Sequence, residues 1–313
     1  MNSKEKNFLS AVVYVENDEK DIESFLNMLT GELTANFEHY EIICVNNSSR
    51  DHSASVIREF AGAHAVSVIS ILNMSTSQTM EEAMNAGVDL AIGDFVMEFD
   101  SVYVDYEPDL IMRVYRHSLE GYDIVSAGSS KSKIASKMFY SIFNRHANLQ
   151  YDLHTERFRI LSRRSINRIR TLSKTIPYRK ATYANCGLKE DTILYDSKGI
   201  SGKKKPNTRQ QLDTAFDSLI IYTDLAYKVT IAISLFMMLI TLAGSIYAII
   251  VYILGIPVAG YTTTLLLMTA SFFGVFAILT VILKYLSLIV KLIFVKQEYV
   301  IESVEKLNNE DRD

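Results

Sequence analysis

The sequence predicts an α/β protein with a mostly parallel sheet and helices on both faces, followed by an amphipathic juxtamembrane segment and two membrane-crossing helices. Three observations carry this. Apolar runs of strand length alternate with runs of helix length from Phe8 to Phe99. A basic stretch, Lys203-Lys204-Lys205 with Arg209, precedes an apolar one. Residues 229 to 283 then contain no Lys, Arg, Asp or Glu, whereas the part before them is charged like an ordinary soluble protein.

Taken in order, Phe8 to Val15 reads as a buried first strand and Asp21 to Leu33 as the first helix. A second strand, Glu41 to Val45, ends in the polar turn Asn46 to Asp51, and a helix follows through Phe60. A third strand lies near Val66 to Ile71, a helix spans Thr79 to Leu90, and a fourth strand is centred on Phe95 to Phe99. This alternation brings the turns after the first, second and fourth strands to one edge of the sheet, where a nucleotide can lie across them. The fourth strand runs out into Asp100, Ser101, Tyr103 and Asp105. Carboxylates at the carboxyl end of such a strand suit a divalent metal, Mg²⁺ or Mn²⁺, and through it a diphosphate. A solvated acidic turn is the competing reading of these residues taken alone.

Composition bounds the rest. The net charge of −4 and pI near 5.9 give no reason to expect nucleic acid. Two cysteines, Cys44 and Cys186, suggest neither a disulfide framework nor a zinc site. The polar start MNSKEKN has no signal-peptide apolar region, so the first 199 residues are expected to form a cytoplasmic domain.

Residues 200 to 228 form the juxtamembrane segment, a basic head followed by the apolar face of Leu212, Ala215, Phe216, Leu219 and Ile220, suited to an anionic membrane surface. The uncharged runs 229–254 and 264–283 are each long enough to cross a bilayer. Lys228 before them and Lys284, Lys291 and Lys296 after them place both ends of the hairpin in the cytoplasm, leaving 284–313 as a cytoplasmic tail of a multi-pass cell-membrane protein. Gly244 and Gly274 offer small-residue surfaces for a homo-oligomer, although glycines there are more often incidental.

The motifs have a familiar order. Val13 to Glu19 (VYVENDE), Val45 to Asp51 (VNNSSRD), Met80 to Val96 (MEEAMNAGVDLAIGDFV) and Glu98 to Asp105 (EFDSVYVD) resemble the PVYNE, DDGSxD, xAxNxG…GD and DxD segments of family-2 glycosyltransferases of the A-type, Rossmann-like fold. Ser136 to His146, Glu156 to Ile169 (ERFRILSRRSINRI) and Ile200 to Val229 resemble the polyprenyl-phosphate branch of that family, which includes dolichol-phosphate mannose synthases and bacterial undecaprenyl-phosphate glucosyltransferases. There are departures. Asn46-Asn47 stands for the acidic pair of DDGS, Tyr14 and Glu16 for the proline and tyrosine of PVYNE, Val102 for the second aspartate of DxD, Arg157 for the acidic residue before FR, and Lys284 for a glutamate.

The resemblance implies transfer of a hexose from a UDP-sugar to a polyprenyl phosphate such as undecaprenyl phosphate, at the cytoplasmic face of the bilayer. It implies Asp100 and Arg159 as catalytic groups, with Asp100 and Asp105 on the metal. Asn17, Glu19, Asn46, Asn47, Asp51 and Ser101 would line the nucleotide-sugar, and Lys203, Lys204, Lys205 and Arg209 would face the acceptor phosphate and the membrane. Because the departures fall at expected functional positions, a rival reading is a membrane-bound scaffold or binding subunit that kept the fold and lost the chemistry.

Overall fold

A computed structural model describes residues 4–63, 68–130, 134–147, 149–172, 178–197 and 299–307, together with isolated positions between 229 and 289. The chain divides into two compact units, one made of Met1–Asn144, Leu149–Leu212 and Gln297–Asp313, the other of Arg145–Asn148 and Asp213–Lys296.

The first unit opens with β1 (Leu9–Val15), α1 (Ile22–Asn36), β2 (Tyr40–Asn46), α2 (Ser53–Ala63), β3 (Val68–Met74), α3 (Met80–Leu90) and β4 (Phe95–Phe99). β1 and β2 are buried along their whole length, as apolar runs covered by helices on both faces must be. There follow α4 (Leu110–Ser118), β5 (Ile124–Ser129), α5 (Ile134–His146), β6 (Glu156–Ser162), α6 (Arg163–Leu172), α7 (Arg179–Ala184), β7 (Glu190–Tyr195) and β8 (Ile301–Lys306). One eight-stranded sheet holds all of these described strands in the order β7-β5-β6-β4-β1-β2-β3-β8.

The expected parallel half is present: β1 lies between β2 and β4, parallel to both, and β3 adds outside β2. The second half makes the sheet mixed. β6 runs antiparallel between β4 and β5, and β8 closes the far edge antiparallel to β3. Two apolar layers result. On one face Leu26, Leu29, Ile42, Phe99, Ile111 and Phe158 pack together. On the other Val12, Val45, Ala83, Met84, Val96 and Tyr183 do.

The GD motif has a structural role at the opposite end of β4 from the acidic turn. Gly93 N–H donates to Ser10 Oγ (2.8 Å), and Asp94 accepts from Phe8 N–H (2.9 Å). A Cβ on Gly93 would fall within 2.8 Å of Ser10 and Phe8 backbone atoms, so only glycine fits. Arg163 donates to the carbonyls of Ala91 (3.0 Å) and Gly93 just past the end of α3, and Arg164 pairs with Asp123, so both serve as structural cations at the start of α6. Cys44 and Cys186 are buried free thiols.

In the second unit the described positions from Val229 to Ala243 and from Thr264 to Ile289 are helical, and Gly274 lies against the side chain of Met237. Gly274 is therefore used within the chain. Among the described residues no helix is long and apolar enough to cross a membrane. The expected hairpin falls largely on residues outside that set, as do the whole of the 200–228 segment, Gly244, Lys203, Lys204, Lys205 and Arg209.

Candidate active site

The carboxyl ends of β4, β1 and β2 stand side by side, so the loops after them form one polar edge. Asn17 and Ser48 adopt left-handed backbone conformations (φ 53° and 50°) that make these turns tight. The loops are then stitched together. Asn17 Oδ1 accepts from Arg50 N–H (2.8 Å), Asp51 accepts from Glu19 N–H (3.1 Å), and Glu19 accepts from His52 N–H (3.1 Å). Burial pushes the Asp51 carboxyl up, but hydrogen bonds from Ser53 and from backbone N–H groups outweigh it and hold the group below its ordinary range.

Asn46 and Asn47 face inward. Asn47 donates to Tyr14 Oη (2.8 Å) and to the Gln78 carbonyl (2.9 Å) and accepts from Gln78 N–H (2.9 Å), while Asn46 donates to Asn73 (2.9 Å) and accepts from Ser49 N–H (3.1 Å). An acidic pair could not make these donations. The asparagines thus fix the β2 and β3 loops, and among the groups the edge leaves toward solvent are the exposed Asn17 and Arg50 and the half-buried Glu19. Ser101 is exposed beside them, its Oγ accepting from Tyr103 N–H (3.1 Å).

Asp100 sits at the end of β4 as expected, but its oxygens are taken. Oδ2 accepts from Arg159 (2.8 Å) and Oδ1 from Arg179 (2.7 Å). The two guanidiniums continue inward. Arg179 reaches Glu81 (2.9 Å) and Glu98 (2.9 Å), Arg159 reaches Glu156 (3.0 Å) and Glu98 (3.3 Å), and Tyr183 donates its hydroxyl to Glu98 (2.9 Å). Both arginine side chains are only 1% exposed. Burial alone would raise the Asp100 carboxyl; Arg179 and then Arg159 overcome it and hold the group ionised, far below the usual carboxylate range. Arg159, expected at a phosphate, is therefore walled in by carboxylates.

The Asp105 carboxylate is engaged by residues of β6 and β7. It accepts from Arg157 through Nε (3.1 Å) and Nη2 (2.8 Å) and from the Tyr195 hydroxyl (2.7 Å). Val102, at the position of the second aspartate of DxD, is buried in the same apolar layer as Tyr106 and Phe158. Among the described residues no group of three His, Cys, Asp or Glu is placed to hold a metal.

Sequence reasoning passes over Arg179, Glu81, Glu98 and Tyr183. Glu98 is visible inside an apolar strand, and a buried acid demands a buried cation, which is the one signal that leads toward Arg179.

Comparison with known proteins agrees with this architecture. The sequence model of one family, Glycosyl transferase family 2, matches residues 10–173. An uncharacterized glycosyltransferase of Synechocystis sp. is 29% identical over 264 residues, 82% of each chain. A bactoprenol glucosyl transferase of Shigella phage SfV is 27% identical over 280 residues, 85% of this chain and 88% of the relative. An undecaprenyl-phosphate 4-deoxy-4-formamido-L-arabinose transferase of Aeromonas hydrophila is 27% identical over 125 residues, 40% of this chain and 38% of that one. Among solved structures, a mannosyltransferase of Pyrobaculum calidifontis in complex with GDP-Man and Mn²⁺ superposes with a TM-score of 0.51 at 14% identity, over 69% of this chain and 65% of the other. The chain thus spans just under two thirds of that mannosyltransferase, and at this identity the likeness speaks for the fold.

Proposed function

Starting from a chain that belongs to glycosyl transferase family 2, and is therefore a glycosyltransferase, we propose that it is one of the polyprenyl-phosphate branch and moves a hexose from a nucleotide-sugar, a UDP-sugar first of all, to a polyprenyl phosphate at the cytoplasmic face of a membrane. The observation that carries this is the polar edge at the carboxyl ends of β4, β1 and β2, the place where open α/β sheets take nucleotides. The relatives supply the acceptor class by analogy: one is named for bactoprenol and another for undecaprenyl phosphate.

In the reaction the acceptor's phosphate oxygen bonds to the anomeric carbon. The bond from that carbon to the nucleoside diphosphate breaks, and its electron pair leaves with the diphosphate. The acceptor is already ionised, so the protein's work is to position the two substrates and to balance charge. Asn17, Glu19 and Ser101 stand where they can touch the donor. Asp100, Arg159 and Arg179 act as a rigid floor beneath it, the two arginines buried and the partly exposed Asp100 held by both of them.

A divalent cation, such as the Mn²⁺ of the mannosyltransferase complex, would have to compete with protein cations at this floor: each Asp100 oxygen accepts from a guanidinium, Val102 is core and brings no ligand, and Asp105 is engaged by Arg157 and Tyr195. No step is therefore assigned to a metal.

Membrane anchoring by a hairpin over 229–283 belongs to the same proposal. It is supported by the uncharged sequence and by Phe236, Leu239, Met268, Phe272 and Leu286, each more than half exposed. β7 before the stretch and β8 after it join one sheet, as an even number of crossings requires. A bilayer-facing platform over 200–228, with Lys203, Lys204, Lys205 and Arg209 toward the lipid phosphate, completes it.

The test is transfer of radiolabelled sugar from a panel of UDP- and GDP-sugars to undecaprenyl phosphate by the full-length protein in detergent. A chloroform-soluble labelled product is the expected result. A folded sample that labels no lipid with any donor would overturn the assignment.

A further inference from the structure

We propose that this chain binds the diphosphate of its nucleotide without a divalent cation, and that Arg157 takes the place of the metal as the group that donates to the phosphate oxygens. The inference rests on the nucleotide-sugar reading above and adds to it the means of phosphate recognition.

Three guanidiniums gather at the end of β4. Two of them, Arg159 and Arg179, are buried and spent on Glu81, Glu98, Asp100 and Glu156. Arg157 differs: its side chain is 34% exposed. It lies one step beyond the last paired residues of β4 and β6, Phe99 and Phe158, so it stands across from Asp100 at the mouth of the floor. Asp105 grips it through Nε and Nη2 from one side, and it packs 5.2 Å from the ring centre of Tyr103. Tyr195 fixes Asp105 in turn. A guanidinium clamped by a carboxylate and backed by an aromatic ring loses little freedom on meeting a second oxyanion, and its planar fork matches phosphate oxygens.

Val102, where the resemblance places a second aspartate, brings no carboxylate to the site. The apolar packing of Val102 means that the second aspartate is not merely displaced, because its place is filled. Asp100 is then a positioning residue, an anion that holds Arg159 and Arg179 in register beneath the donor.

The experiment is calorimetric titration of the full-length protein in detergent with UDP and with GDP, once in excess EDTA and once with Mn²⁺, for the natural chain and for Arg157→Gln. The expected result is binding in EDTA with a Kd within about threefold of that in Mn²⁺, and weakening by about tenfold or more in R157Q. Melting curves of R157Q establish that it is folded. As a reciprocal check, the electron paramagnetic resonance signal of free Mn²⁺ is read as protein is added without nucleotide, and no uptake is expected. Binding that appears only with Mn²⁺, uptake of one Mn²⁺ per chain, or a folded R157Q with unchanged affinity would each overturn this inference while leaving the nucleotide-sugar reading intact. Failure of both nucleotides to bind in either buffer would overturn the donor assignment itself, and this inference with it.

Discussion

Arg179 answers three carboxylates at once, Glu81, Glu98 and Asp100, and a buried charge cluster of this kind tolerates the loss of a partner badly. Removing the guanidinium leaves buried anions uncompensated, a cost of about 3–5 kcal/mol. Arg179→Met should therefore lower the melting temperature of the first unit sharply or prevent its folding, whereas Arg157→Gln, at the mouth, should shift it little. Equal melting of the natural chain and R179M would show that the network is not what holds the end of β4. Gly87 makes a different residue-scale case. It sits in the MNAG run of α3, and a Cβ there would lie 2.6 Å from Val45 Cγ2 and closer still to Val12 Cγ1, both on strands with no room to yield. Gly87→Ala should cost about 1–3 kcal/mol by overpacking, read as a lower urea midpoint with an unchanged slope. The glycine of the run most like the family pattern thus serves the packing of a helix on a sheet.

Among the elements, β8 does the most unexpected work. It covers the free edge of β3: Leu307 N–H donates to the Ile69 carbonyl (2.8 Å), Ser75 N–H donates to the Val300 carbonyl (3.1 Å), and Glu305 takes Arg58 (2.7 Å) and Asn73 (2.7 Å). A chain ending at residue 298 would bare that edge and deprive Asn73, hence Asn46, of its supports. Such a chain should self-associate with rising concentration in light scattering and melt earlier, and a monodisperse, equally stable truncation would count against this role. β1 to β4 could be read from sequence because each is an apolar run between polar turns, and the capping box of Thr79 with Glu82 marks the start of α3 within a residue. β8 could not, because a mostly exposed edge strand carries almost no apolar signature. Nor could the place of β6: its antiparallel insertion between β4 and β5 depends on partners distant in sequence. At the site, Asp100 and Arg159 were legible as residues but not as a pair, and Arg179, in a stretch with no motif, was not legible at all. Position along the chain reveals which groups are present; only the sheet order reveals that two of them neutralise each other.

For the first unit as a whole, the ionisable groups set a pH window. Burial, aided by Glu156, raises the Glu190 carboxyl to about 8 against the pull of Arg159 and Lys180. His117 is raised as well, first by its hydrogen bond to Asp191 (2.7 Å) and then by Glu120 (2.8 Å). Both groups hold more protons folded than unfolded, so the stability they confer is complete below the unfolded values and drains away as pH rises, for Glu190 from about 4.5 through about 8. Asp100 and Asp123 run the other way. Their folded values are depressed, so their contribution is present above the ordinary aspartate range and is lost as acid protonates them. The two slopes meet in a maximum on the mildly acid side, near pH 5 or a little above, rather than at neutral pH. Replacing Glu190 by Gln removes the charge that must be buried above that point. E190Q should match the natural chain at pH 5 and exceed it by roughly 2 kcal/mol at pH 8, given that a tenfold change in proton affinity corresponds to about 1.4 kcal/mol and that part of the carboxyl is solvated. Urea unfolding followed at a series of pH values gives the answer directly. A natural chain whose stability stays flat between pH 5 and 8, or an E190Q that tracks it throughout, would mean that Glu190 reaches water or a partner and is less closed in than its burial indicates.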